Sequence, residues 1–256
     1  MNRLFQADGI VIKCIKLNES DKIVTIFTKQ FGKIQAIAKG VRKTRSQFGS
    51  SLENLTQIRF LAFKGKNLNI ISQTEILYSF FPTSKDLILY GIAVQCAEII
   101  DKITIEEDPN ENVYKLFSDT LILLKDEQNA ILLFASFQWK LFSLMGYQPE
   151  LSKCVDCSSL IKDDKNYIFD IKRGGLLCNT CQNTKKYYHI ILSSYCLKLL
   201  KRIIFADLSK IHNKQVLQSG LLELINFTAK YMIYHFEIEN HTKQFIDKVK
   251  TICQKQ

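Results

Sequence analysis

Ile10-Val11-Ile12-Lys13-Cys14-Ile15, Asn18-Glu19-Ser20-Asp21 and Ile23-Val24-Thr25-Ile26-Phe27-Thr28 form two short β-branched segments around a four-residue turn. β-Branched side chains suit the pleated surface of a sheet, and Asn, Ser and Asp suit the turn between two strands. The same grammar repeats outward from this hairpin. Gln30-Phe31-Gly32 reads as a second turn, and from Gly32 to Gly40 the residues Ile34, Ala36 and Ala38 share one face. Further strands are predicted over Ile58 to Phe63 and Leu68 to Thr74, separated by Lys64-Gly65-Lys66-Asn67. Five short strands in the first 80 residues match a small closed barrel such as the five-stranded OB-fold. An SH3-like barrel or a small sandwich gives much the same pattern at this level.

From about residue 84 the period changes. Leu87, Tyr90, Ile92, Val94, Ala97, Ile99 and Ile100 recur at helical spacing, and Glu106-Glu107-Asp108-Pro109-Asn110 closes that stretch. Val113, Leu116, Phe117, Leu121 and Leu124 stripe a second helix beginning near Pro109. Ala130 to Met145 is apolar nearly all round, which marks a buried central helix. Gly146-Tyr147-Gln148-Pro149 ends it, and a loop-rich, cysteine-containing insert follows over 150–190. Helical spacing returns from Ser193 to about Ile252, strongest from Val216 to Ile233. The expected architecture is α+β and multidomain: a barrel over 1–80, then an all-α domain over 84–256 that carries the insert.

Composition sets outer limits. Hydrophobic residues make up 46% of the 256 and charged residues 23%, which excludes a disordered chain. No stretch of about 18 residues lacks polar groups, so no membrane span or membrane partner is expected. Met1 to Asp8 shows no apolar signal core, and the expectation is a cytoplasmic protein. The formal charge is +10, and most of it sits early: residues 1–80 hold 13 Lys and Arg against 5 Asp and Glu. An excess of that kind favours a polyanionic partner, either nucleic acid or an anionic surface.

The insert carries Cys154-Val155-Asp156-Cys157 and Cys178-Asn179-Thr180-Cys181, with twenty residues between the pairs. Two C-x2-C pairs at this separation are the usual layout for a four-thiolate zinc site. Each pair sits on one turn, so both sulfurs reach an ion about 2.3 Å away. Tyr167-Ile168-Phe169 supplies a strand between the pairs, and Gly174-Gly175 supplies a turn before the second. Four thiolates leave no open coordination position, so a structural Zn²⁺ is expected, one per chain. Redox pairs are the competing reading, which an intracellular location disfavours. His189 lies outside the paired spacing, and Cys14, Cys96, Cys196 and Cys253 read as buried reduced thiols.

Catalytic signatures are missing from the sequence. There is no phosphate loop, no G-x-S-x-G elbow, no H-E-x-x-H and no dinucleotide fingerprint. His189, His212, His235 and His241 are scattered, and the acidic clusters lie in loops. No enzymatic activity is expected.

The basic residues concentrate at a strand exit. Lys39-Gly40-Val41-Arg42-Lys43-Thr44-Arg45 carries four cations in seven residues, with Lys29 and Lys33 just upstream. On a barrel this is a loop that reaches phosphates, with Lys33 expected on the polar face of its strand. A solvated loop without a ligand is the bland alternative. Phe31, Phe48, Phe60 and Phe63 are candidates for base stacking or, more simply, for the core.

At this point the chain resembles the RecO recombination mediators. The order Gly9-Ile10-Val11-Ile12, Glu19-Ser20-Asp21-Lys22-Ile23-Val24, Phe27-Thr28, Phe31-Gly32-Lys33, Ala38-Lys39-Gly40-Val41-Arg42-Lys43 is similar to the opening of that family. The second half agrees through Gly146-Tyr147-Gln148-Pro149, Phe169 and Gly174-Gly175-Leu176-Leu177 before Cys178. The resemblance implies an N-terminal OB-fold, a helical C-terminal domain and a non-enzymatic role in recombinational DNA repair, at the nucleoid. It implies binding to single- and double-stranded DNA, annealing of complementary strands, and contact with the single-strand-binding protein's acidic tail. It also implies joint action with RecR, and in some bacteria RecF, in loading RecA. Lys39 and Arg42 then become the leading DNA contacts. Two other classes stay open: a zinc-containing OB-fold RNA-binding factor, and a metal-dependent nuclease or deaminase that the closed thiolate set disfavours.

Overall fold

The protein is described by a computed structural model covering residues 4–44, 46–81, 87–125, 129–182, 188–211 and 214–238. It forms two compact units, Met1–Asp126 and Glu127–Gln256. The change of period near residue 84 marks where strands give way to helices, while the first compact unit continues through two helices.

In the first unit β1 (Leu4–Lys16), β2 (Lys22–Thr28), β3 (Gly32–Ala38), β4 (Thr56–Phe63) and β5 (Asn69–Ser79) close a barrel in the order β1-β2-β3-β5-β4. Only β3 and β5 pair in parallel. Closure depends on β1, which at 13 residues serves two neighbours. Its first part, Leu4 to Ile10, pairs with β4, and its later part, Gly9 to Lys16, pairs with β2. A bulge between Val11 and Lys13 bends it. Gly9 pairs on both sides, and a Cβ there would stand 2.6 Å from the Ile26 side chain. The predicted start at Ile10 falls short because Leu4 to Gly9 is only partly apolar and is ordered by β4.

The barrel core holds Val11, Val24, Ile26, Ile34, Ala36, Ile58, Phe60 and Ala62, and the β3–β4 connection plugs it with Val41, Phe48 and Leu52. Phe48 and Phe60 are thus core residues, while Phe31 and Phe63 are partly exposed. Helices α1 (Leu87–Ile103) and α2 (Glu111–Leu124) belong to the same unit. Asn110 caps α2 by accepting from the Val113 N–H at 3.1 Å. Phe27 packs its ring against Tyr114 and Phe117, with centroids 5.9 and 6.4 Å apart.

The second unit is built on α3 (Ala130–Leu144), with α4 (Ser194–Phe205), α5 (Leu208–Ile211) and α6 (Gln218–Phe236). Trp139 of α3 is fully buried, stacks on Phe227 and donates its Nε1–H to Thr228 Oγ1 at 2.7 Å. The insert is more ordered than a loop with one strand: β7 (Gly175–Leu177), β6 (Asn166–Asp170) and β8 (His189–Ser193) make a three-stranded sheet. β8 escapes sequence reading because its apolar run, Ile190 to Leu192, is only three residues long before the Ser193 cap. Ser193 ends the strand and caps the helix through the Cys196 N–H. Phe169 on β6 meets Phe227 edge-on at 4.8 Å and anchors the sheet to the helical core. The expected helical end past Ile238 lies outside the described residues.

Candidate metal centre and nucleic-acid interface

Cys154, Cys157, Cys178 and Cys181 converge, with all four sulfurs within 4.8 Å of one another. Among the described residues they are the only group of three or more metal-ligating side chains so arranged. Each pair sits on a tight turn, closed by Ser158 N–H to Cys154 O at 2.9 Å and Cys181 N–H to Cys178 O at 3.0 Å. The first turn needs a left-handed residue after its second cysteine, and Ser158 takes it at φ 62°. The turns are brought together by the sheet. Val155 N–H bonds Leu176 O at 3.0 Å, and Gly175 passes so close that a Cβ would lie 2.4 Å from Val155 Cγ1. Arg173 bonds Asp156 and lies near Asp170, tying the first turn to the β6–β7 connection.

This donor set fits a metal ion such as zinc. Sulfurs bound tetrahedrally to one ion at about 2.3 Å sit roughly 3.8 Å apart, and Cys157 and Cys178 are 3.6 Å apart. Backbone N–H of Cys181 and the Ser159 hydroxyl hold the Cys178 thiol down to about 6. Burial works against the Cys154 thiolate, and N–H groups of Cys157, Cys178 and Asp156 outweigh it. The sulfur of Cys178 pushes Cys181 up. Crowded sulfurs of this kind share their negative charge stably only around a cation. The isolated thiols contrast with them: burial pushes Cys14 to about 11 and Cys196 to about 12, and raises Cys96. Cys253 lies outside the described residues, as do His212 and His241. His189 stands 3.9 Å from Asp170, and His235 bonds Ile171 O at 2.9 Å.

The basic loop is the second candidate. Lys39, Arg42 and Lys43 are exposed, and Arg45 lies outside the described residues. The loop is latched onto the β1–β2 turn: Gly40 N–H donates to Asp21 Oδ1 at 2.7 Å, and Arg42 N–H to Ser20 O at 3.0 Å. Arg42 also gives Nη1–H to Asn18 O at 2.8 Å, which leaves four of its five donors for a phosphate. The register adds cations that sequence reading missed. Lys16 and Lys22 sit opposite one another where β1 and β2 meet this turn, and Lys22 pairs with Ala38 on its other side. Like charges directly opposed in a sheet are unfavourable, and Glu53 relieves Lys22 at 3.2 Å. Five cations therefore gather at one end of the barrel.

Of the two upstream lysines, one differs from expectation. Lys29 is exposed at the β2–β3 turn and ion-paired with the exposed Glu111 at 2.7 Å. Lys33 is not on an exposed polar face: it is buried, bonds the Asp101 carbonyl and lies 3.4 Å from the Asp101 carboxylate. The reason is the end of α1. A carboxylate in the last turn of a helix faces unsatisfied carbonyls and the negative end of the dipole, and Lys33 neutralises both. Residue alternation alone cannot show a helix packed over a strand's outer face.

Comparison with known proteins gives the family. The family profile described as Recombination protein O N terminal matches residues 1–80, and that described as Recombination protein O C terminal matches 84–244. DNA repair protein RecO of Thermoanaerobacter sp. (strain X514) is 34% identical over 253 residues, spanning 98% of this chain and 100% of that protein. RecO of Acetivibrio thermocellus is 32% identical over 98% of both chains, and RecO of Bacillus subtilis (strain 168) 27% identical over 97% and 96%. A solved asparaginyl-tRNA synthetase of Entamoeba histolytica aligns over 66% of this chain and 36% of its own at 10% identity, and its TM-score of 0.27 carries no argument. Among the described residues no helix is long and apolar enough to cross a membrane. With a profile over more than half its length and full-length relatives above 30% identity, this chain belongs to the RecO family of DNA repair and recombination proteins.

Proposed function

We propose that this protein binds single- and double-stranded DNA at the basic end of its barrel and anneals complementary strands without consuming a nucleotide. RecO proteins are generally non-enzymatic mediators. The observation that carries the DNA reading is the gathering of Lys16, Lys22, Lys39, Arg42 and Lys43 beside one latched loop. Each phosphate neutralised there releases counterions, and the cations screen the repulsion between two phosphate backbones. Family membership supports DNA and recombination proteins as partners; in this reading they are the acidic tail of the single-strand-binding protein, RecR, RecF in bacteria that use it, and RecA. A tail contact tethers the protein on coated strands and raises its local concentration. The setting is the nucleoid in the cytoplasm.

Cys154, Cys157, Cys178 and Cys181 would hold one Zn²⁺ in this account, and the ion would supply a cross-link between the two turns. Annealing of complementary oligonucleotides, bare or coated, tests the functional reading. Annealing should proceed without ATP and weaken with salt. On coated strands it should fall sharply when the acidic tail is deleted, while bare strands anneal as before. An identical response of bare and coated strands to tail deletion would leave only a generic nucleic-acid-binding barrel.

A further inference from the structure

The turn that holds the basic loop carries acidic residues of its own. Asp21 lies next to Lys22 in sequence and bonds Gly40, which follows Lys39, so simple Coulomb repulsion there would weaken binding of a polyanion. Its carboxylate is nonetheless committed to the loop. Oδ1 accepts from Gly40 N–H at 2.7 Å and from the Ser20 hydroxyl at 2.8 Å, and Oδ2 accepts from Asn18 Nδ2 at 2.9 Å. The turn that presents Asp21 is itself tied down. Asn18 Oδ1 accepts from the N–H groups of Ser20 and Asp21, and Leu17 N–H bonds Asp21 O at 3.1 Å.

Gly40 is the pivot of the loop. It stands at φ 69°, and its carbonyl accepts from Lys43 N–H at 3.1 Å, which turns the chain so that Lys39 and Lys43 flank it. With Gly40 N–H and Arg42 N–H both held by the β1–β2 turn, the loop's cations are placed before any ligand arrives. Loops ordered in advance lose less entropy on binding.

We propose that Asp21 is a positioning residue for the DNA-contacting loop, so that the hydrogen bond it accepts from Gly40 strengthens polyanion binding more than its negative charge weakens it through space. The inference rests on the proposed DNA-binding reading of Lys39, Arg42 and Lys43. Hydrogen bonds from Gly40 N–H, Asn18 and Ser20 hold the Asp21 carboxyl down to about 2, so the latch is charged at working pH.

The two accounts of Asp21 predict opposite signs. Removing a negative charge from a cationic surface should tighten DNA binding if charge alone matters. If positioning dominates, Asp21→Ala should weaken binding of a fluorescent oligothymidylate by about threefold or more, since a charge-assisted hydrogen bond outweighs one through-space repulsion in water. Asp21→Glu keeps the charge but carries its carboxylate one methylene too far, and should also weaken binding; on charge alone it should do nothing. Asp21→Asn keeps a neutral acceptor for Gly40 N–H and sheds the repulsion, and should bind more tightly than Asp21→Ala and Asp21→Glu. Amide exchange at Gly40 and Arg42 should speed up in Asp21→Ala and Asp21→Glu but not in Asp21→Asn. If Asp21→Ala fails to fold, the Glu and Asn pair decides the sign. Parent-like or tighter binding by Asp21→Glu overturns the inference. The Lys39→Ala/Arg42→Ala/Lys43→Ala variant is measured alongside. If it binds like the parent, the DNA reading itself fails and takes the inference with it. If it loses binding while Asp21→Glu does not, only the role of Asp21 is refuted.

Discussion

At the four-cysteine cluster each pair of ligands sits on its own short turn, and a small sheet only has to bring two prebuilt turns together. At the basic end of the barrel a local turn is not enough: Lys39, Arg42 and Lys43 owe their placement also to Asp21 and Ser20 on another turn. Lys33, six residues before Lys39, is drawn inward to Asp101 instead. A ligand set defined by local spacing survives changes in its surroundings. A cationic surface does not, because partners distant in sequence decide whether each lysine faces solvent.

The largest effect is expected where the local design is cut. Protein purified without chelator should carry about one zinc per chain, and Cys178→Ser should lose it. Structural zinc in small sites contributes on the order of ten kcal/mol to local folding, so the insert should become protease-sensitive. Phe169 packs on Phe227, but Trp139 and its partners on α3 and α6 have their own core, and most helical signal should persist. Metal-free parent protein by elemental analysis would contradict this half of the comparison.

The next effect separates two lysines of one sequence type. Lys33→Met leaves Asp101 with Lys13 alone, 2.8 Å away and solvent-facing, so about 1–3 kcal/mol of stability should be lost. Lys43→Ala should cost less than about 0.5 kcal/mol. Chemical denaturation of both variants measures the difference. Equal losses would erase the distinction between buried and exposed cations.

The smallest effect probes the first cysteine turn. Ser158 holds a left-handed φ of 62°, a conformation glycine adopts without strain. Ser158→Gly keeps the N–H that bonds Cys154 O and should raise the insert's resistance to unfolding by a few tenths to about 1 kcal/mol. A loss of stability there would assign the Ser158 hydroxyl a part in the turn.

What was legible in the sequence follows the same divide. The two C-x2-C pairs announced their cluster because two-residue spacing is a local geometric statement. The barrel strands were legible from β-branched runs and turn residues, and α3 from its unbroken apolarity. β8 was not, since Ile190-Ile191-Leu192 is too short a run before the Ser193 cap to tell a strand from the approach to α4. The latch at Asp21 stood inside a quoted motif, Glu19-Ser20-Asp21, yet its partner Gly40 is nineteen residues away and only the barrel's register brings them together. Lys16 opposite Lys22 was hidden for the same reason.

The most direct test of the account is the salt dependence of single-strand binding by three proteins: the parent, the Lys39→Ala/Arg42→Ala/Lys43→Ala variant and Lys33→Met. Each phosphate contact on a single strand contributes roughly 0.7 to the slope of log K against log salt. The triple variant should therefore show a slope smaller by about 2 at nearly parental stability. Lys33→Met, though less stable, should keep the parental slope. A triple variant with the parental slope, or a Lys33→Met protein with a reduced one, would contradict the assignment of DNA binding to this end of the barrel.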